Sequence, residues 1–235
     1  MITEDDYAAR GWAVQSVGSS FKPDPMVVRS MEENPQSAGG SSVGTQNLLY
    51  ALVLSLKPKI VLEVGSHIGA GSVWIGAALK ENGFGRAYCL EPQEHYYELH
   101  TSHMVIADVY KYVRTLRLFS TDEALNRFIT EPVDMCFLDA NHSYSAARKD
   151  LEIVDSLLSD RGIIILDDTG SGHSGSIDPE GKGGVRQALI DFAAENPDYS
   201  ISFLDNPFWL NPCGIALAIR HKGADLRTTA QRETD

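Results

Sequence analysis

No stretch of this sequence approaches the roughly 18 consecutive apolar residues that a membrane-crossing helix needs. Basic residues are scarce: 20 Lys and Arg stand against 32 Asp and Glu, for a formal net charge of -12. Surfaces that hold nucleic acid through its phosphates are basic, so the balance argues against a nucleic-acid partner. It argues equally against an anionic membrane surface. Cysteine is sparse as well. Cys89, Cys136 and Cys213 form no C-x-x-C pair, which removes support for a structural zinc or dithiol redox motif. Each lies in an apolar run and is expected to be a small core residue. A reducing cytoplasm is the expected compartment. Residues Met1 to Tyr7 are acidic and lack an apolar run, so no signal peptide is expected there. There is no internal repeat.

What the sequence does contain is enough apolar material for one sizeable core: 43% hydrophobic residues in a chain of 235. That excludes disorder along its whole length. Residues 1–41, with Pro23, Pro25 and Pro35 before Gly39, Gly40 and Ser41, read as an N-terminal arm. Residues 42–222 read as the domain and 223–235 as a polar tail. Within the domain, Thr45 to Leu56 has the spacing of a helix that Pro58 stops.

A strand–helix alternation follows. Strands are predicted at Ile60–Val64, Ala87–Leu90, Thr115–Phe119, Val133–Leu138 and Gly162–Leu166. Helices are predicted at Val73–Leu79, His95–Val113, Thr121–Ile129, Ser145–Leu158 and Gly183–Glu195. Two last strands, Ser200–Leu204 and Gly214–Ile219, have no room between them for a helical crossover. The fold class is therefore α/β: a doubly wound, seven-stranded, mostly parallel sheet with an antiparallel last strand.

In such a sheet, ligands bind beyond the carboxyl ends of the strands. After the first strand runs Glu63-Val64-Gly65-Ser66-His67-Ile68-Gly69-Ala70-Gly71-Ser72, whose glycines permit a sharp turn and close approach to a ligand. Its spacing is wider than the dinucleotide pattern G-x-G-x-x-G, which suits a bulkier ligand without phosphate; a ligand-free turn is the plainer alternative. Glu91, after the second strand, has the chemistry to accept from two ribose hydroxyls, or to serve as an acid at a helix N-terminus. Ser120, after the third, is a further candidate cofactor contact.

Asp139 follows the fourth strand, with Ala140, Asn141 and His142 behind it. Asp167 and Asp168 follow the fifth. Carboxylates clustered at one sheet edge repel one another and call for a neutralising partner. A hard cation such as Mg²⁺ answers that need, and helix capping or solvent exposure is the alternative. Alternation along the strand sends Asp167 and Asp168 to opposite sides, and favours Asp168 as a ligand. His142 is either a polar loop residue or a general base. The glycine- and serine-rich stretch from Gly170 to Gly184, which contains His173, is expected to be a mobile lid.

These residues resemble a known family. Leu62-Glu63-Val64-Gly65 with Gly69 and Ser72 resembles the first motif of class I S-adenosylmethionine-dependent methyltransferases. Phe137-Leu138-Asp139-Ala140-Asn141-His142-Ser143-Tyr144, then Asp150, then Gly162 through Asp168, resembles the macrocin and mycinamicin type of sugar O-methyltransferase. The resemblance covers roughly residues 42–220. It implies a Rossmann-like methyltransferase fold with a reversed final strand. It implies S-adenosylmethionine held by Glu63, Gly65, Ser66, Gly69, Ser72, Glu91, Ser120 and Asp139. It also implies Mg²⁺ on Asp139, Asp167 and Asp168, and catalysis by His142 with Asp139. Asn141 stands where that subgroup carries a second acid, which moves the base role to His142. Ala140 replaces its glycine.

The expected activity is methyl transfer to a small-molecule hydroxyl, with copies associating through residues 1–40. The competing expectations are a metal-independent N- or C-methyltransferase, a nicotinamide-linked dehydrogenase and a non-catalytic nucleoside-binding protein.

Overall fold

The computed structural model describes residues 41–205 and 213–222. The expected arm, tail and association surface therefore lie outside the described residues, apart from Ser41. Helix α1 (Val43–Leu56) starts at Ser42, whose hydroxyl accepts from the Thr45 N–H. It ends one residue before Pro58, at Lys57 in a left-handed conformation. Then come β1 (Ile60–Val64), α2 (Ala70–Asn82), β2 (Arg86–Leu90), α3 (Glu94–Ile106) and β3 (Val113–Leu116). A 3₁₀ turn (Glu123–Arg127) leads to β4 (Val133–Leu138), α4 (Tyr144–Leu157) and β5 (Leu158–Leu166). The chain closes with the short α5 (Ser174–Ile177), α6 (Gly184–Glu195), β6 (Tyr199–Leu204) and β7 (Ile215–Arg220).

The seven strands form one sheet in the order β3-β2-β1-β4-β5-β7-β6. Every pair from β3 to β5 is parallel, and β7 runs antiparallel to both β5 and β6. This is the expected doubly wound sheet with a reversed last strand. The central strands read as continuous apolar runs because both faces are covered: all five residues of β1 are buried. One face packs α1 and α2 through Leu49, Val53, Ile75 and Leu79. The other packs α4 and α6 through Leu151, Val154, Leu189 and Phe192.

Three predicted elements differ. The helix expected to run to Val113 stops at Ile106, and Asp108 turns the chain with a φ of 53°. The third strand consequently starts two residues earlier than expected and covers Val113–Leu116. The helix expected over Thr121–Ile129 is only a 3₁₀ turn, opened by Asp122, which accepts from the Phe119 N–H.

Beneath β1 lies a buried polar chain. Ser72 Oγ donates to the Glu63 carboxylate and lies 2.7 Å from His100 Nε2, and His100 Nδ1 lies 2.8 Å from Thr115 Oγ1. It ties α2, α3 and β3 to the central strand. Glu63 and His100 are 1% and 0% exposed. Burial raises the Glu63 carboxyl to about 7, with Ser72 pulling the other way, and lowers His100 to about 3. A carboxyl whose folded pKa is raised stabilises the fold most below its unfolded value, and that contribution is lost as pH rises through about 7. Wild type should therefore lose stability relative to Glu63→Gln between pH 5 and pH 8.5, by on the order of 2–3 kcal/mol. Thermal unfolding of both proteins across that range checks this; a pH-independent difference would show that Glu63 does not titrate there.

Candidate active site

The strand ladders continue one residue past the carboxyl ends. Gly65 and Ser66 N–H donate to Leu90 O, Glu91 N–H to Leu116 O, Asp139 N–H to Val64 O and Asp167 N–H to Leu138 O. These bonds set Glu91, Gly65, Asp139 and Asp167 in a row along one sheet edge. The row spans the β1/β4 switch point, where a doubly wound sheet binds its ligand. A cavity of about 610 Å³ opens over it.

Glu91 lines that cavity and is 4% exposed. Its Oε1 accepts from the Gln93 N–H at 2.8 Å, and the His67 amide also donates to its carboxylate. Burial raises its pKa, and the two amides partly offset that. Gly65, Ser120 and Asp139 line the same cavity. The Ser120 hydroxyl donates to the buried Asp150, which ties the third βα loop to α4. Glu63, Ser66, Gly69 and Ser72 do not line it. Glu63 and Ser72 are spent on the chain to His100, and Ser66 Oγ bonds the carbonyl of Leu90. Gly69 turns the chain at φ 95° to start α2. The glycine loop thus contributes its first residue to the cavity wall, and the rest of its motif holds up the loop from behind.

The cavity also has a wall that motif reading missed. The rings of His67 and Tyr96 meet at 4.2 Å, and His67 Nδ1 is buried without a hydrogen-bond partner. A histidine two residues after Gly65 was the available signal, and the structure sets it at φ 48°.

At the other end sit the carboxylates. Asp139, His142 and Asp168 bring ligand atoms within 4.8 Å of one another. His142 Nε2 lies 2.9 Å from Asp168 Oδ2, and His173 Nε2 lies 2.9 Å from Asp168 Oδ1. Asp167, expected as a third ligand, is not gathered with them. It faces α1, accepting from Thr45 Oγ1 at 3.3 Å and from the Asp168 N–H at 2.9 Å. The chain has left the strand here: Asp168 takes a left-handed φ of 57°, and the Thr45 hydroxyl and the Asp168 amide hold the Asp167 carboxylate toward α1.

Burial, then the charges of Asp167 and Asp168, pushes Asp139 well above the carboxylate range. Burial and then Asp168 lift Asp167 to about 6. Burial also pushes Asp168 upward, but its two histidines outweigh that and hold it below its usual value. The hydrogen bond to Asp168 raises His142. Burial and then the neighbouring carboxylates keep Asp139 reluctant to ionise, a burden that a cation beside it would relieve. Carboxylate oxygens from Asp139 and Asp168 fit a hard divalent ion, and His142 stands beside them.

Asn141 is occupied in the turn, its Oδ1 accepting from the Ser143 N–H at 2.9 Å. Ser143 caps α4. Cys89 and Cys136 are core residues as expected, but Cys213 is not: it stands half-buried beside Asp168 and His173. The stretch expected to be a mobile lid is organised. Asp178 accepts from the backbone amides of Tyr144, Glu180, Lys182 and Gly184, and Ser174 Oγ bonds the carbonyl of Gly183. A short acidic side chain satisfying four amides supplies the order that glycine content alone does not suggest.

Residues 62–169 match the sequence-family profile described as a methyltransferase domain. No curated protein sequence matches the chain. Among solved structures, the O-methyltransferase from Bacillus cereus in complex with S-adenosylhomocysteine superposes with a TM-score of 0.71 at 21% identity, over 91% of this chain and 97% of that one. TomG from Streptomyces achromogenes, an O-methyltransferase involved in tomaymycin synthesis and solved with S-adenosylmethionine, gives 0.71 at 18% identity, over 95% and 100%. Cofactor-bound Rv0187 from MTB gives 0.73 at 19% identity, over 95% and 100%. The fold is shared with these solved structures, and residues 62–169 are similar to the methyltransferase-domain family.

The close approach of β1 and β4 at Gly65 makes a test of the site's frame. A Cβ at Gly65 would meet the Asp139 carbonyl oxygen at 2.2 Å, at a φ of +85°. Gly83 has a similar φ of +77° but nothing within 4 Å. Gly83→Ala should cost about 1 kcal/mol, the left-handed penalty alone. Gly65→Ala should cost about 2–4 kcal/mol, because backbone must also move. Urea unfolding of the two variants measures the difference, and equal costs would mean that the β1–β4 approach is not tight.

Proposed function

We propose that this protein transfers the methyl group of S-adenosylmethionine to a hydroxyl of a small molecule, a sugar or another natural product, with a divalent cation, Mg²⁺ by preference, at Asp139 and Asp168. The observation that carries the proposal is one cavity lined at one part by a buried, amide-held carboxylate, Glu91, and at another by Asp139 and His142, with Asp168 against that pair, in a chain whose residues 62–169 match a methyltransferase-domain profile. Glu91, oriented by the Gln93 and His67 amides, accepts from the vicinal hydroxyls of the ribose. The backbone at Gly65 leaves room for the amino-acid end of the cofactor, and the His67–Tyr96 wall closes its flank. Asp139 and Asp168 hold the cation, and Asp167 adds negative charge from behind. Such an ion lowers the pKa of an acceptor hydroxyl and fixes its direction. His142, half-open to the cavity, accepts the hydroxyl proton. Buried side chains fixed from behind keep this alignment, which methyl transfer to oxygen needs.

Calorimetric titration with S-adenosylhomocysteine and Mg²⁺ tests the two ends separately. Glu91→Ala should weaken S-adenosylhomocysteine binding by about tenfold or more, since a hydrogen bond to a charged group contributes about 1.5–3 kcal/mol. Asp168→Asn should weaken Mg²⁺ binding and spare S-adenosylhomocysteine. Unchanged binding of either ligand to the matching folded variant would remove that residue from the site. Release of S-adenosylhomocysteine across a panel of hydroxyl, amine and carbon-acid acceptors then decides the acceptor class. With an accepting hydroxyl compound, His142→Ala should lower turnover by about 10²-fold or more, the usual scale for a general base. Native turnover in that variant, or full activity after chelation, would overturn the assignment.

A further inference from the structure

Asp168 faces two ways. One oxygen, Oδ2, meets His142 in the cluster with Asp139. The other, Oδ1, meets His173, and on that side the third neighbour is a thiol: Asp168, His173 and Cys213 bring ligand atoms within 4.8 Å of one another. The second cluster is chemically unlike the first, with one carboxylate, one imidazole and one sulfur. The three side chains are only partly buried, so an ion can enter.

Both segments that supply the new ligands are locked in place by backbone. Gly170 N–H donates to Cys213 O, and Thr169 N–H donates to Gly214 O at 3.3 Å. A Cβ at Gly214, at φ +72°, would lie 2.4 Å from Gly170 N, so the two strands of this crossing touch along their main chains. That contact sets Cys213 beside the end of β5. His173 N–H donates to Gly170 O at 3.0 Å. The following turn is held by Ser174, which bonds Gly183 O and the Arg186 N–H, and by the amides gathered on Asp178. The imidazole and the thiol therefore reach Asp168 from two loops whose backbones are bonded to each other at Gly170.

We propose that Asp168, His173 and Cys213 form a second cation site, which takes a borderline-soft divalent ion such as Zn²⁺ and shares Asp168 with the oxygen-rich site. Tetrahedral zinc holds N, O and S donors roughly 3.4–3.8 Å apart, given bond lengths of about 2.0–2.3 Å. The three donor atoms, within 4.8 Å of one another, lie near that spacing. Sulfur and imidazole select zinc, cobalt or copper over magnesium. As the metal–sulfur bond forms, the thiol proton passes to solvent and water fills the fourth position. Because the two sites divide the oxygens of one carboxylate, an ion at the thiol site competes with one at Asp139 for Asp168. The site does not depend on the methyl-transfer reading, since its test uses metal alone.

The probe is Co²⁺, whose bond to a thiolate gives a charge-transfer absorption in the near ultraviolet. The metal-free full-length protein, titrated with Co²⁺, should develop that band to a limit of one equivalent, and Zn²⁺ should bleach it. Cys213→Ser should lose the band completely while keeping its circular dichroism. Cys89 and Cys136, both 0% exposed in the core, supply no substitute. His173→Ala should weaken Co²⁺ binding by tenfold or more, and Asp168→Asn should do the same. A wild-type protein that shows no thiolate band, or a band that persists in Cys213→Ser, overturns the proposal.

Discussion

The site depends on how closely two backbones meet at the first residue past β1. Asp139 lies so near Gly65 that a side chain at 65 would overlap its carbonyl oxygen, and only a residue free to take φ +85° leaves room. That approach continues the β1–β4 ladder beyond its last strand residues, through Asp139 N–H to Val64 O. With β1 and β4 ending level, β2 and β5 fall into the same register on either side. Each strand then delivers its next residue to a common edge: Glu91 from β2, Asp139 from β4, Asp167 and Asp168 from β5. The cavity between Glu91 and the aspartates follows from this register and needs no special loop.

The same register creates an electrostatic burden. Asp139, Asp167 and Asp168 would repel one another wherever all three ionise, and burial removes the water that would screen them. The structure divides the load. Asp167 turns to the α1 hydroxyl of Thr45 and to an amide. Asp168, at φ 57°, takes up two imidazoles. A non-glycine residue in that region costs about 1 kcal/mol or more, and aspartate is among the side chains that tolerate it best. Asp139 bears both burial and the charges of its two neighbours, which push its carboxyl well above its ordinary range.

Much of this was legible in the sequence, for reasons that differ from element to element. The buried parallel strands were readable because runs such as Ile60–Val64 and Val133–Leu138 have no polar alternation to confuse with a surface element. The reversed ending was readable because ten residues, 205–214, leave no room for a crossover helix. Glu91, Asp139, His142 and Asp168 were readable because they directly follow strands. The losses have one cause: side-chain direction and long-range partners are not encoded in local spacing. Glu63 and Ser72 carry the motif, yet His100, far along the chain, draws them away from the cavity. Asp167 is next to Asp168, yet faces Thr45. Cys213 sits in an apolar run that suggests core, and only the β5–β7 pairing brings it to Asp168. The order of the Gly170–Gly184 stretch was not readable because Asp178 collects amides from Glu180, Lys182 and Gly184 and from Tyr144 of α4.

The two polar assemblies flanking β1 are built on opposite logic. Behind the strand, Glu63, Ser72, His100 and Thr115 complete one another's hydrogen bonds and hold both ionisable members near neutrality. A satisfied buried network fixes geometry and asks for no ligand. Beyond the strand ends, Asp139 lines the cavity with its carboxyl burdened by burial and by two neighbouring carboxylates, and His67 keeps an unpartnered ring nitrogen at the cavity wall. An incomplete network in a cleft is costly until something fills it. The rigid assembly holds the loop from Gly65 to Gly69, and the incomplete one faces the cavity that this loop frames. Binding energy at the open side can therefore go into orienting a ligand, because the loop beneath it is already fixed by bonds the ligand does not have to supply.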